Sequence, residues 1–174
     1  MTAVAGLAQT ASPTPLSAAA QAERDATREK LRTLLAARSN KAIGVTFTQS
    51  TKNPYNFVGS LNTGLKNAQS YEIVISVTTN NTIGFRVYPH YNNGYVNLDK
   101  ARNGPALSRQ LLYFCDRNFL FWGADSTSDV FAGYTITLES GFPDEVVVIV
   151  LRSVPLLDSF LGDMRPNIDG TQKL

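Results

Sequence analysis

Tyr71, Ile73, Ile75 and Val77 recur at every second position, and Ile83, Phe85 and Val87 repeat the pattern after a polar turn, Thr79-Asn80-Asn81-Thr82. A period of two sets side chains on one face of a strand. Asn tolerates the positive φ that tight hairpin turns need. The pattern predicts an antiparallel hairpin pairing Tyr71–Thr79 with Ile83–Tyr88. Such a hairpin is marginal alone, so its apolar face must meet further strands and a second layer.

The flanking sequence supplies both. Ser17 is a good N-cap for a helix over 17–38, a stretch without Gly or Pro. Leu31, Leu34 and Leu35 form a short apolar stripe late in it, while its early turns hold alanines and charges. Both a solvated amphipathic helix and a mobile or swapped one fit that pattern. A second helix is expected over Asp99–Arg117. Its regular part starts at Pro105, a suitable first-turn residue, and Leu107, Leu111, Phe114 and Cys115 fall on one side. Residues 145–151 are rich in β-branched side chains, yet Val146, Val150, Val154, Leu157, Leu161 and Met164 keep a 3.6-residue period. The period favours a helix over about 144–164, kinked near Pro155. Further strands are expected at Ile43–Thr48, Phe119–Trp122 and Phe131–Leu138, with Gly133 a bulge candidate. A weaker one begins at Tyr55, with Gly59 against it. His90–Gly94 reads as a loop.

The predicted fold class is α+β, a small antiparallel sheet flanked by helices in the order α-β-β-β-α-β-β-α. At 174 residues the chain suits one domain, taken as 17–166. Residues 1–16 read as a flexible tail and 167–174 as a C-terminal tail. The first sixteen residues lack the basic and apolar blocks of a secretion signal. No apolar run is long enough to span a membrane, and a single cysteine excludes an internal disulfide. These features predict a cytoplasmic protein with no membrane partner. Charge is uneven: residues 1–115 carry 12 Lys and Arg against 5 Asp and Glu, and residues 116–169 carry 3 against 9. Two faces for different partners and two solvated surfaces explain this equally well.

Chemistry-bearing residues are sparse. His90 has no sequence-local orienting acid or nucleophile, and Cys115, on the apolar side of its helix, reads as a buried, inert thiol. Asp125 and Asp129 lack the spacing of a cation loop and read as turn residues. No catalytic residue, metal site or cofactor is expected, and the chain is read as a non-enzyme. Tyr88, Tyr91 and Tyr95 lie near Arg86, Lys100 and Arg102, a mixture that stacks and neutralises single-stranded nucleic acid. Tyrosines at strand ends are also ordinary structure. Phe119, Phe121 and Trp122 place large rings on both faces of one strand, more than one core face absorbs.

The helix ending Leu111-Leu112-Tyr113-Phe114-Cys115-Asp116-Arg117-Asn118, the aromatic strand Phe119–Gly123, the Phe131–Glu139 strand and the apolar helix opened by Pro143-Asp144-Glu145 follow one another in a telling order. The architecture resembles the YbjN-like family, whose fold is shared with type III secretion chaperones. A Deinococcus member of that group is linked to a single-stranded-DNA-binding protein. The resemblance implies a cytoplasmic homodimer that binds a protein client without catalysis. It places the dimer contact on Leu107, Leu111, Phe114, Phe119, Phe121 and Trp122. Leu31, Leu34, Leu35, Tyr88, Tyr91 and Tyr95 are the candidates for partner contact. The alternative is a nucleic-acid-associated protein in DNA repair, acting directly or through a single-stranded-DNA-binding protein.

Overall fold

The computed structural model describes residues 16–171; the expected N-terminal tail lies almost wholly outside them. Helix α1 spans Ala18–Ile43, and Ser17 caps it by accepting the Ala20 N–H at 3.2 Å. Five strands follow: β1 (Thr48–Gln49), β2 (Asn56–Leu61), β3 (Ser70–Val77), β4 (Thr82–Tyr91) and β5 (Gly94–Tyr95). Helix α2 (Gly104–Arg117), β6 (Phe121–Ala124) and β7 (Val130–Thr137) come next. The chain ends with α3 (Asp144–Ser153), a 3-10 turn at Val154–Leu156 and α4 (Leu157–Asp169). The fold is α+β: an antiparallel seven-stranded sheet in the order β1-β2-β3-β4-β7-β6, with β5 also beside β4.

The predicted hairpin is present, with β3 and β4 paired antiparallel from Ser70↔His90 to Val77↔Ile83. Tyr71, Ile73, Ile75, Val77, Ile83, Phe85 and Val87 are all buried, as the alternation requires. β4 runs further than expected and takes in His90 and Tyr91. Asn92 and Asn93, both at positive φ, make the two-residue turn into β5. Pro89 sits opposite Val96 and accepts its N–H at 3.0 Å, but has no N–H to return. The Val96 carbonyl instead accepts from Val130 at 2.8 Å, so β7 starts where β5 leaves.

Several local expectations are corrected. The strand expected at Ile43–Thr48 gives way to the end of α1. Gly44 adopts φ +69 and donates its N–H to Asn40, a left-handed cap that only glycine takes cheaply. Val45 and Phe47 then lie against Gly59, where a Cβ would stand 2.6 Å from Val45. Gly59 therefore belongs inside β2 because its missing side chain admits a neighbouring segment. Residues 145–151 are helical, and Pro155 lies in the 3-10 turn between α3 and α4. Val146 faces outward, while Val147, Val148, Val150 and Leu151 are buried. Strand β6 starts at Phe121, two residues later than expected. Gly133 forms no bulge, since it pairs regularly with Arg86 and with Phe121. The C-terminal tail does not begin at 167: α4 continues to Asp169, and Asn167 is buried.

The helices supply the layer that covers the buried sheet face. Leu31, Leu34 and Leu35 of α1, Val147, Val150 and Leu151 of α3, and Leu157, Leu161 and Met164 of α4 join one cluster with the strand residues. Two polar ties fix that layer. Arg24 donates to the Val77 carbonyl at 2.8 and 3.0 Å and stacks on Tyr55, whose hydroxyl donates to Asp25 at 2.7 Å. At the other end the buried Asp158 carboxylate accepts the backbone N–H groups of Lys66, Asn67 and Ala68 at 2.7–3.1 Å. It clamps the β2–β3 loop to α4. Asp158→Ala leaves those donors without a partner, and we expect a loss of about 3 kcal/mol of stability. Urea unfolding with an unchanged denaturant slope would report it; a loss below about 1 kcal/mol would show that water takes over the carboxylate's role.

Candidate functional site

Among the described residues no helix lies on the opposite sheet face. Its residues are the alternate positions of the same strands: Val58, Glu72, Val74, Ser76, Gly84, Arg86, Tyr88, His90, Phe131, Gly133, Thr135 and Phe121. Antiparallel sheets commonly leave one face to water, but that face is then polar. Here a stripe of rings crosses it. Phe121 of β6 packs edge-on to Phe131 of β7 with ring centres 5.9 Å apart. Phe131 meets Tyr88 of β4 at 5.6 Å, Tyr88 meets Tyr95 of β5 at 5.6 Å, and Tyr95 meets His90 at 4.3 Å. The guanidinium carbon of Arg86 stands 4.8 Å from the centre of the Phe131 ring. Phe131 is buried beneath these neighbours, whereas Phe121 and Tyr95 are 44% and 37% exposed.

Local sequence explains the stripe. Gly133 lies opposite Phe121, and a Cβ there would come within 2.5 Å of the Phe121 ring. The glycine lets the ring lie flat on the next strand. At the other end Asp125 organises the β6–β7 turn. Its carboxylate accepts the Thr127 N–H at 2.9 Å, the Thr127 hydroxyl at 2.7 Å and the Asp129 N–H at 3.1 Å. Partial burial raises the Asp125 pKa, but these bonds outweigh it and hold the carboxyl below its usual range. Among the described residues no group of three or more His, Cys, Asp or Glu is placed to hold a metal ion.

The sequence-derived candidates fall into distinct places. Tyr88 and Tyr95 share the stripe. Tyr91, three residues from Tyr88 along a strand, points to the other side. There its hydroxyl donates to Asp169 at 2.8 Å and accepts from Arg165 at 3.1 Å. Lys100 and Arg102 line a polar hollow with Asn92, Asn93 and Asp169; Tyr95 at the end of the stripe borders it too, but Arg86 does not. Leu31, Leu34 and Leu35 are buried in the core. So are Leu107, Leu111, Phe114 and Trp122, because α2 turns that side onto β6 and α4; only Phe119 and Phe121 of the dimer candidates are exposed. Phe119 packs edge-on to Tyr134, with ring centres 5.5 Å apart. The expectation of a buried Cys115 is corrected. The thiol is exposed at the margin of the α2 stripe, where it accepts the Trp122 N–H at 3.2 Å and covers the outer edge of β6. Sequence reasoning overlooked Phe131, and it grouped Arg86 with distant cations. Their partnership depends on β7 lying beside β4, although the alternation Gly84, Arg86, Tyr88, His90 was readable.

The fold and this face define a two-layer α+β protein with an open aromatic surface. No protein-family model matches the chain, and no curated protein is significantly similar to it.

Two measurements probe this geometry. Gly133→Ala should lift the Phe121 ring and cost about 1–3 kcal/mol. A double-mutant cycle with Phe121→Ala should recover much of that cost, and independent effects would show that the two residues are not in contact. Partial burial and the Glu72 carboxylate push the Tyr95 pKa up to about 12. The folded state thus favours the neutral ring. Its contribution to stability is present below the ordinary tyrosine range near pH 10 and is lost as pH rises towards 12. Ultraviolet titration of Tyr95→Phe should lack one group that ionises near pH 12 in the wild type. An unaltered high-pH limb would contradict the placement.

Proposed function

We propose that this protein is a non-enzymatic, chaperone-like adaptor that binds a protein client on the open face of its sheet. The aromatic stripe from Phe121 to Tyr95, with Arg86 over Phe131, carries the reading. Tyr and Arg are enriched at the energetic centres of protein interfaces, and contiguous apolar surface on a soluble face marks a binding site. The resemblance to the YbjN-like family and the secretion chaperones supports the same role. Among the described residues no helix is long and apolar enough to cross a membrane; we place the adaptor in the cytoplasm.

A homodimer belongs to this proposal, through Phe119 from the residues first expected and through two neighbours on α2 that were not. Leu112, Tyr113 and Phe119 are 70%, 65% and 53% exposed on the outer side of α2 and just beyond its end. A two-fold contact there hides each copy's rings and leucine against the other's. Nucleic-acid association, direct or through a single-stranded-DNA-binding protein, is the second reading, favoured by the same exposed rings and Arg86. The carboxylates of Glu72 and Asp125 beside the stripe weigh against phosphate.

Affinity capture from the native host with wild type and with a Phe121→Asp, Tyr95→Asp double variant tests client binding. Proteins held by the wild type should be lost from the variant at equal melting temperature, and an unchanged set would overturn the role of this face. Sedimentation tests the dimer. Wild type should sediment as a dimer at micromolar concentration and Leu112→Asp, Phe119→Asp as a monomer. A monomeric wild type would remove the dimer.

A further inference from the structure

We propose that the open face recognises its protein partner by a carboxylate: an Asp or Glu side chain next to an apolar residue, with Arg86 as the anchor. The anchor presupposes the client-binding role proposed above for this face.

Arg86 emerges from the middle of β4, between Val74 of β3 and Gly133 of β7. Its guanidinium is held over Phe131, and one of its N–H groups points to the Tyr88 hydroxyl at a long 3.5 Å. The ion pairs among the described residues engage Arg28, Arg32, Arg38 and Arg117, and none engages Arg86. The planar donor fork is therefore prepositioned by the ring beneath it and has most of its hydrogen-bonding capacity unspent. A carboxylate matches that fork with two parallel bonds.

The surroundings specify what accompanies the carboxylate. Arg86 borders a dish of about 540 Å³ lined by strand and turn residues. Phe121, Phe131 and Tyr88 form its apolar wall, and Ser76, Thr78 and Thr135 supply hydroxyls. Gly84 forms part of the dish with no side chain. A Cβ there would meet only a Thr78 methyl at 3.9 Å, so the space above it is free for a partner's side chain. An anion at Arg86 and an apolar group beside the rings occupy adjacent places. A polyphosphate chain needs a track of cations. Arg86 is the only cation lining this dish, and Glu72 approaches the stripe through Tyr95.

A phage-displayed random peptide library panned on the intact protein tests the anchor, with labelled oligothymidylate as a parallel probe. Selected peptides should carry Asp or Glu beside Leu, Ile or Phe. Their affinity should fall about tenfold or more on Arg86→Gln, and equally when the peptide acid is changed to its amide. Arg86→Lys should restore part of the loss. Arg86→Gln lies at an exposed position and should keep the wild-type melting temperature. Peptides lost on Phe121→Asp but indifferent to Arg86→Gln would overturn the anchor and leave the surface role standing. Peptides indifferent to both variants would overturn both. Arg86-dependent binding of oligothymidylate, with no acidic peptide selected, would overturn the carboxylate in favour of nucleic acid.

Discussion

Between Ser70↔His90 and Val77↔Ile83 the backbones of β3 and β4 hold one register, which sends Tyr71, Ile73, Ile75 and Val77 to the same side as Ile83, Phe85 and Val87. Burying each such side chain is worth about 1.5–3 kcal/mol, and a slip of one residue would turn the whole set into water. That difference fixes the register, and the register sets the rest of the sheet. β2 adds to the outer side of β3, and β7 adds to the outer side of β4 along Thr82–Val87. Beyond that point Pro89 withholds a donor, and the β4 edge passes to β5.

The helical layer is one-sided, and the polar ties enforce it. Arg24, Asp25 and Tyr55 hold the start of α1 at the end of β3, Arg38 pairs with Glu145 of α3 at 2.6 Å, and Asp158 holds the β2–β3 loop on α4. The pair between Arg38 and Glu145 is exposed and contributes little energy. The buried Asp158 carboxylate matters more, because it satisfies backbone donors that have no strand partner. The helices of the described residues all pack on one face, which leaves the second face uncovered by them.

That second face combines opposed properties. Its rings form one stripe across the strands, while Arg86, Glu72, Ser76 and Thr135 keep it wettable. Stacking on Phe131 restricts the long Arg86 side chain, which reduces the entropy lost on binding. Rings around a cation held on one of them are the geometry on which the proposed partner contact rests.

Local sequence determined the central hairpin, the Ser17 cap, the start of regular α2 within one residue of Pro105 and the helix broken at Pro155, since each depends on residues a few positions apart. It also marked Tyr88 and Tyr95 as notable. It misplaced Ile43–Thr48, because alternation cannot reveal that Gly44 ends a helix there; the family resemblance, not the periodicity, put Leu107, Leu111, Phe114 and Trp122 at an interface, and the protein's own core absorbs them. Only the tertiary structure decided which sheet face stays open and which residues meet on it. Phe131 and Arg86 are 45 positions apart in sequence and adjacent only because β7 pairs with β4. The order of distant strands follows from packing the whole chain, so no local pattern contains it.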